Sequence, residues 1–307
     1  MGNASLKKIK EIRLIESMAR RLKGNDKSVI VSIGDDAAVV KGGGGNYRLY
    51  TVDMLIESVH FKKNEDYKKV GYKAMAVSVS DIAAMGGVPK YALVSVGLPR
   101  KNIDRAARSL YAGIARCAKK FDIAVIGGDT NRSSTLVIDV FMVGEVEPKK
   151  LVLRSGAKPG DHIFVSGPLG GSLRGKHLVF EPRVKEARFL GDYFKVTSMI
   201  DLSDGLAMDL NRLVSASNVG ALVFENKIPK TAPVVSTAHA LSDGEDFELL
   251  FTLSGVNSLK LCQLMKKKKT TFKFYPIGRI TDLFSGVRMG TADGRIQEVS
   301  ARGFQHF

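Results

Sequence analysis

Cysteine is scarce in this chain, and several motifs that would define a function class are missing. The two cysteines, Cys117 and Cys262, form no Cys-x-x-Cys pair, so the sequence indicates neither a cysteine-based zinc site nor a redox pair. The five histidines show no metal-binding spacing, and no Gly-x-Ser-x-Gly motif of hydrolases occurs. No apolar run reaches the roughly 20 residues of a membrane span. No signal peptide is recognisable, so we expect a cytoplasmic protein.

Length and charge favour a two-domain protein with anionic partners. At 307 residues the chain exceeds one average domain, and 44% apolar residues suffice for well-filled cores. Lysine and arginine outnumber aspartate and glutamate by 47 to 31, a net charge of +16. This balance suits nucleotides, phosphorylated metabolites or nucleic acid, although a lysine-rich surface also serves solubility alone. The lysine run at 266–269 is typical of a solvated helix end.

Strand-like and helix-like patterns alternate along both halves, which predicts layered α/β domains. The turn-rich stretch at 154–161 indicates a boundary, and we predict domains over 1–148 and 149–307. The predicted helices lie at 6–23, 67–85, 103–120, 182–194, 205–217 and 257–267. The predicted strands lie at 28–33, 37–40, 47–53, 91–98, 123–126, 135–146, 162–166, 221–225, 247–253 and 272–280.

Six short acidic turns carry most of the functional information. They are Ile33–Ala37, Thr51–Asp53, Ser80–Asp81, Gly127–Thr130, Asp201–Gly205 and Asp243–Asp246. Any one of them could be a plain turn, because glycine and aspartate favour turns for backbone reasons. Most of them follow an apolar run of strand length or open a helix, and side chains at strand ends of one sheet converge. Crowded carboxylates need cations, and Mg²⁺ usually accompanies a phosphate-bearing substrate.

Two of these turns have further ligand-binding features. In Gly127–Thr130 the paired glycines allow close backbone approach to a ligand, and Asp129 can hold a metal. In Asp201–Gly205 two carboxylates flank a hydroxyl just before a predicted helix. Ser203 or Asp204 is expected to cap that helix, and a helix start is also a good phosphate seat.

A glycine-rich stretch at 170–177 imitates a phosphate-binding P-loop. It matches that pattern except at the last position, where His177 replaces the serine or threonine that ligates Mg²⁺. A flexible glycine loop that covers substrate is the interpretation we favour over a P-loop.

Taken in order, the motifs resemble the thiamine-monophosphate kinase family, within the superfamily of aminoimidazole ribonucleotide synthetase and selenophosphate synthetase. The resemblance spans nearly the whole chain. Besides the acidic turns, it is carried by His60-Phe61, Gly71–Ala74, Ser80–Gly86, Leu153–Asp161, Gly244–Leu249 and Gly303–Phe307. It implies two α/β domains of the aminoimidazole ribonucleotide synthetase-like fold and a homodimer formed through the sheet of the amino-terminal domain. It also implies transfer of the γ-phosphoryl group of ATP to thiamine monophosphate, with several Mg²⁺ ions and no catalytic acid, base or nucleophile.

The resemblance also implies roles for individual residues. The Mg²⁺ ligands would be Asp35, Thr51, Val52 (through its backbone), Asp53, Asp81, Asp129, Asp201 and Asp204. The ATP contacts would be Tyr111, Gly128, Asp129, Arg154 and Ser203. The contacts to thiamine monophosphate would be His60, Glu245 and Phe304.

Three positions depart from the family pattern, and two other readings stay open. Val52 stands where the family usually has threonine, Asp243 where it has glycine, and Gly171 where it has aspartate. A selenophosphate synthetase is disfavoured because it typically uses an early cysteine, whereas Cys117 here lies in a predicted helix. Aminoimidazole ribonucleotide synthetase and a basic nucleic-acid-binding protein remain alternatives, although acidic turns without metal would repel a phosphate backbone.

Overall fold

The chain divides into two units, each of which combines separate stretches of the sequence. The computed structural model describes residues 10–22, 24, 26–99, 103–231 and 236–304. The N unit comprises Ser28–Leu151 and Gly175–Val184, and the C unit comprises the described parts of 1–27, 152–174 and 185–307. The domains expected over 1–148 and 149–307 stay a prediction.

Seven helices and thirteen strands lie within the described residues. In chain order they are α1 (Lys10–Arg21), β1 (Val29–Val31), β2 (Ala38–Lys41), β3 (Tyr47–Ile56), α2 (Tyr67–Ala84), β4 (Val88–Leu98), α3 (Ile103–Phe121), β5 (Ala124–Arg132), β6 (Val137–Val146), β7 (His162–Val165), α4 (Val184–Tyr193), β8 (Val196–Asp201), α5 (Leu206–Ser217), β9 (Gly220–Phe224), α6 (Thr237–Ser242), β10 (Leu249–Leu253), α7 (Gly255–Lys266), β11 (Tyr275–Thr281), β12 (Gly286–Gly290) and β13 (Ile296–Glu298).

The N unit is a six-stranded sheet with α2 and α3 as its helices. The strand order is β1-β2-β3-β6-β4-β5, and all neighbours are antiparallel except β4 and β5. Along β6, buried residues alternate with half-buried ones, as expected when only one face of a sheet is covered. Small and apolar side chains on the long helix α2, such as Ala74, Ala76 and Val79, are fully buried with the strand residues Leu49 and Val94.

The other face of this sheet is apolar and uncovered in the described structure. Val52, Met54, Tyr91 and Leu93 are exposed at its centre, at 60%, 51%, 45% and 38%, and Ile126 is exposed on β5. Nearby, the rings of Tyr50 and Phe141 stack with centroids 6.0 Å apart. A contiguous apolar patch of this kind is typical of a protein–protein interface.

Helices α2 and α3 pack unusually closely because each presents a glycine to the other. A Cβ atom on Gly71 would stand 2.1 Å from the carbonyl oxygen of Leu110, and one on Gly113 would stand 1.9 Å from that of Lys68. Real Cβ atoms do not approach so closely, so any side chain here would push the helices apart.

The C unit is a seven-stranded sheet in the order β13-β12-β9-β11-β7-β10-β8, with only β12 and β9 parallel. Its core joins apolar residues of the sheet, such as Ile163 and Leu250, to the buried side of α5, including Leu210 and Leu213. A second cluster of aromatic rings includes Phe164 and Phe251, which stack at 5.4 Å. Helix α1 belongs to this unit, where Ile12 packs against Met208 and Ala301.

The structure confirms most predicted elements and corrects several others. Strand β8, helix α6 and strands β12 and β13 were not predicted. The predicted helix at 6–23 is described from Lys10 onward, and residues 6–9 lie outside the described range. The expectation that the acidic turns end strands is wrong at two positions. Asp53 and Asp129 lie within β3 and β5, which are longer than predicted, whereas Asp81 lies in the last turn of α2, inside the helix predicted at 67–85.

Among the described residues, no helix combines the length and apolar character needed to cross a membrane.

The two cysteines should differ sharply in reactivity. Cys117 is buried in α3, and burial raises the pKa of its thiol to about 12, whereas Cys262 on α7 is only half-buried. Because the thiolate is the reactive form, we expect a thiol reagent such as DTNB to leave Cys117 unmodified in the native protein. The C262S variant should therefore react in the native state far more slowly than wild type, and both should react fully in denaturant. Rapid native-state labelling of C262S would contradict this prediction.

Candidate active site

Carboxylates from three segments of the chain meet on the helix-covered side of the N-unit sheet. Asp36 follows β1, Asp53 lies on β3, and Asp81 lies in the last turn of α2. Carboxylate oxygens of Asp36 and Asp81 come within 4.8 Å of one another. Thr51 donates its hydroxyl proton to Asp81 at 2.5 Å, and Ser78 donates to Asp53 at 2.8 Å. We call this group the N-unit carboxylate cluster; its members are Asp36, Thr51, Asp53, Ser78 and Asp81.

The electrostatics of this cluster disfavour charge in the absence of a cation. Burial raises the pKa of Asp53 above its ordinary value, and the charges of Asp139 and Asp36 act in the same direction. The hydrogen bonds from Ser78 and Asp81 act in the opposite direction but do not cancel the rise. Burial also raises the pKa of Asp139. An all-oxygen donor set whose members repel one another fits a hard divalent cation such as Mg²⁺.

The neighbouring residues Asp35 and Asp36 differ in burial and in their identified contacts. The sequence-based ligand set contains Asp35 and leaves Asp36 out, yet Asp36 is the buried residue that approaches Asp81. Asp35 is half-buried, and its Oδ1 accepts a hydrogen bond from the backbone amide of Asp36 at 3.1 Å.

Asp129 is not brought to the N-unit carboxylate cluster within one chain. The register aligns Asp53, Val140, Val94 and Gly128 in one row across four strands, which spans roughly 14 Å for three strand spacings. Asp129 itself aligns with exposed Ser95 on the uncovered face, whereas Asp53 lies on the helix side. Its carboxylate accepts hydrogen bonds from the amide of Thr130 at 2.8 Å and from the side chain of Asn131 at 2.5 Å.

In the C unit, Asp204 belongs to a network at the start of α5. Arg212 contacts Asp204 at 2.5 Å and Asp209 at 2.8 Å. The other oxygen of Asp209 accepts from the amides of Asp204 and Gly205 at 3.0 and 3.1 Å. Burial raises the pKa of Asp209 to about 7, although Arg212 opposes the rise. The expectation that Ser203 or Asp204 caps this helix is wrong, because Gly205 occupies the N-cap position and makes no side-chain cap bond.

Four further predicted residues of the C unit lie close to this network. The amide of Glu245 donates to the carbonyl of Ser203 at 2.6 Å, and the amide of Phe304 lies 3.3 Å from the carbonyl of Asp204. Asp201 is buried at the end of β8. Arg154 is half-buried, and its carbonyl accepts from the hydroxyls of two serines, Ser198 and Ser217.

The glycine loop at 170–172 makes hydrogen bonds to the acidic turn at 243–246 in the same unit. The amides of Gly170 and Gly171 donate to the carboxylates of Asp246 and Asp243, both at 2.8 Å, and the hydroxyl of Ser172 donates to the carbonyl of Glu245 at 2.6 Å. In a P-loop such amides bind phosphate, but here carboxylates occupy them. The P-loop alternative is therefore excluded, and the loop serves to fix the acidic turn that contains Glu245.

Lys176, which stands at the P-loop lysine position, gives a direct check. Because the amides beside it do not cradle phosphate, we expect the K176M variant to keep the ATP turnover that the family resemblance implies, within about threefold of wild type. A lysine that contacts a transferring phosphoryl group would lose on the order of a hundredfold or more. Steady-state kinetics with varied ATP measures the difference, and a loss of that larger size in a folded variant would restore the P-loop interpretation.

The N unit also contains an open cavity of about 1010 Å³, with ionic and hydroxyl groups in its lining. Glu57, Lys63, Tyr67, Arg105, Ser109 and Thr135 are among the residues that line it. The Thr135 hydroxyl donates a hydrogen bond to Glu57 at 2.8 Å. Burial, and to a smaller extent the charge of Glu57, raises the pKa of Tyr67. Tyr111 is partly exposed on α3, two residues after the lining residue Ser109, and His60 is half-buried in the loop after β3.

Several residues of these sites were not predicted. Ser78 could have been found, because it stands three residues before Asp81 on a predicted helix and therefore shares its face. Asp139, Asp209 and Arg212 carried no local signal, since their partners are defined by strand register and by the path of the chain around α5.

Comparison with known proteins identifies the two domains of the chain. Residues 34–146 match the model of the AIR synthase related protein amino-terminal domain, and residues 162–288 match that of the carboxy-terminal domain. The two matched domains thus define the fold of an AIR synthase related protein.

More specific relatives are found along almost the whole length. The chain is 35% identical to thiamine-monophosphate kinase of Rhodopirellula baltica, over 91% of this chain and 92% of that protein. It is 38% identical to thiamine-monophosphate kinase of Bacillus subtilis, over 80% and 83%. A solved structure described as AaThiL complexed with AMPPCP and TMP superimposes with a TM-score of 0.82 at 30% identity, covering 98% of both chains. The chain belongs to the thiamine-monophosphate kinase family.

Proposed function

We propose that this protein transfers the γ-phosphoryl group of ATP to thiamine monophosphate and releases thiamine diphosphate and ADP. The observation that carries the proposal is the N-unit carboxylate cluster, in a chain whose family includes a structure solved with an ATP analogue and TMP bound. The anionic substrates also suit the net charge of +16.

The reaction needs no nucleophile from the protein. An oxygen of the acceptor phosphate attacks the γ-phosphorus of ATP, the bond from that phosphorus to the βγ-bridging oxygen breaks, and ADP leaves with that oxygen. The acceptor phosphate is already ionised near neutral pH, because its second pKa is about 6, so no general base is required. The task of the chain is to position two anions in line and to offset their repulsion.

The carboxylates would serve as metal holders rather than as acids or bases. Asp36, Asp53 and Asp81 of the cluster, with the hydroxyl of Thr51, provide the oxygen donors in the N unit, and Asp35 and the backbone of Val52 adjoin them. Asp201 and Asp204 provide further donors in the C unit. The chemistry that Mg²⁺ would supply at these donors is an offset of the negative charge that develops during transfer.

The remaining predicted roles are retained as part of the proposal. Tyr111, Gly128, Asp129, Arg154 and Ser203 would contact ATP, and His60, Glu245 and Phe304 would contact thiamine monophosphate. The bonds between Glu245 and Ser203 and between Phe304 and Asp204 support this grouping in the C unit.

We further propose that two copies pair through the uncovered face of the N-unit sheet. The apolar residues of that face support the pairing. The position of Asp129 supports it as well, because Asp129 lies on the uncovered face and does not reach the cluster of Asp53 within one chain. The L93E variant is expected to shift the protein from dimer to monomer in light scattering. V256E, which places the same charge on an exposed α7 position, should leave the mass unchanged. A dimeric L93E protein, or a monomeric wild type at micromolar concentration, would contradict the pairing.

The decisive assay incubates the protein with ATP, Mg²⁺ and thiamine monophosphate. Stoichiometric thiamine diphosphate and ADP are expected, with no product when Mg²⁺ is chelated. ATP turnover that leaves thiamine monophosphate unchanged and needs a different acceptor would favour aminoimidazole ribonucleotide synthetase. A salt-dependent shift of DNA or RNA without any ATP turnover would favour the nucleic-acid-binding alternative.

Cytoplasmic location stays a prediction from the sequence.

A further inference from the structure

Lys73, near the middle of α2, is a fully buried cation. Its relative exposure is 0%, and its Nζ donates to the carbonyl oxygen of His60 at 2.7 Å. The same Nζ lies 3.0 Å from Nδ1 of His177, whose own exposure is 8%. All three residues belong to the N unit, which the chain re-enters at Gly175–Val184.

The chemistry of the three groups assigns the protons. A carbonyl oxygen can only accept, and an ammonium group has no lone pair, so Lys73 donates to both partners. Nδ1 of His177 therefore accepts, and the neutral ring carries its proton on Nε2. A buried ammonium that loses an acceptor is strongly destabilised, so the Lys73 side chain depends on His177 for its position.

His60 is fixed at both its ring and its backbone. The amide of Ile56 donates to Nδ1 of His60 at 3.0 Å, which places the ring proton of His60 on Nε2. The amide of His60 donates to the carbonyl of Ile56 at 2.9 Å, and its carbonyl accepts from Lys73. The preceding turn contains Ser58 at a φ of 70°, a conformation that needs support from its surroundings.

We infer that His177 acts through Lys73 as a positioning residue for His60, so that the Nε2–H group of His60 is held as a hydrogen-bond donor for the phosphorylated acceptor. The inference rests on the proposed function, in which His60 contacts thiamine monophosphate. It gives a purpose to the histidine that breaks the P-loop pattern at the end of the glycine-rich stretch.

The kinetic test uses two substitutions at one site. H177F keeps a planar ring but removes the acceptor, and we expect the KM for thiamine monophosphate to rise about tenfold while the KM for ATP stays within about twofold, since each lost interaction of about 1.4 kcal/mol is tenfold. H177N supplies an amide oxygen near the position of Nδ1 and should restore most of the affinity. H162Q, at a half-buried histidine of β7, is the matched control and should match wild type.

A second readout does not depend on catalysis. With ¹³C-labelled histidine, the Cε1–H resonance of His60, assigned with the H60Q variant, should move in H177F and return in H177N. An unmoved His60 resonance in H177F overturns the inference, whether or not the protein is a kinase. Equal rises in both KM values that H177N does not reverse also overturn it, because they indicate a general structural role. If wild type forms no thiamine diphosphate, the proposed function fails while the resonance still decides whether His177 positions His60.

Discussion

The D53N variant is expected to lose turnover of ATP and thiamine monophosphate by at least about 10²- to 10³-fold, the range typical of losing one charge-stabilising group. Asp53 lies in the N-unit carboxylate cluster, where Ser78 orients its carboxylate at 2.8 Å. Asparagine keeps the shape of the side chain but removes the negative charge that a cation needs. Steady-state kinetics over a range of Mg²⁺ concentrations measures the loss, and more Mg²⁺ should not restore the wild-type rate.

The same variant should be no less stable than wild type when metal is absent. Burial and neighbouring carboxylates raise the pKa of Asp53, so ionised Asp53 costs stability in the folded protein. A raised folded-state pKa means that this cost is absent below the unfolded pKa, near 3.8, grows as pH rises from there to the folded pKa, and is constant above it. We therefore expect the Tm of D53N minus that of wild type to be close to zero near pH 4 and to become more positive toward pH 8.

A carboxylate outside the cluster separates a specific effect from a general one. D282N, in the loop after β11, should match wild type in both turnover and Tm. If D53N retained wild-type turnover, the cluster would not be the metal site. If its Tm in chelator fell well below that of wild type at pH 8, the argument from charge repulsion would be wrong.

The G113A variant is expected to lose roughly 3 kcal/mol or more of unfolding free energy, at the upper end of the range for overpacking. The new Cβ would stand 1.9 Å from the carbonyl oxygen of Lys68 and 2.8 Å from the amide nitrogen of Tyr72. Both obstacles are backbone atoms, so no side-chain rotation relieves the clash, and α2 and α3 must separate. Urea unfolding followed by circular dichroism measures the change.

Another helical glycine provides the matched control for this substitution. Gly255 begins α7, and a Cβ there would meet nothing within 4 Å. G255A should be neutral or stabilising by about 0.5–1 kcal/mol, because alanine favours helix over the unfolded chain more than glycine does. A G113A protein as stable as G255A would show that the two helices can move apart freely.

The elements that the sequence predicts well are those with a strong local pattern. Helix α2 follows from a run of small and apolar residues that opens at Asp66, whose side chain accepts from the amide of Lys68. Strand β8 was missed because Val196–Asp201 mixes polar and apolar residues, and it is defined by its pairing with β10. Helix α6 has only six residues, too few for a periodic pattern.

The same division applies to the site. Local motifs identify the residue types, so Asp53 and Asp81 could be predicted as ligands from their neighbours in the sequence. Which carboxylates actually meet depends on long-range register, which local patterns do not contain. Asp36, which the predicted ligand set leaves out, approaches Asp81, and Asp129 falls on the opposite face of the sheet from Asp53. Asp139 looks like an ordinary polar position of an alternating strand.

Each unit combines separate stretches of the sequence, and this arrangement affects how the chain folds while it is synthesised on the ribosome. The interior of the N unit stays incomplete until residues up to Val184 have emerged, because Lys73 finds its partner His177 only then. Helix α1 is made before both sheets, yet Ile12 packs against Ala301, which follows every described strand in the chain. Neither unit can therefore finish folding early in translation, because α1 finds this contact only after Ala301 has been made.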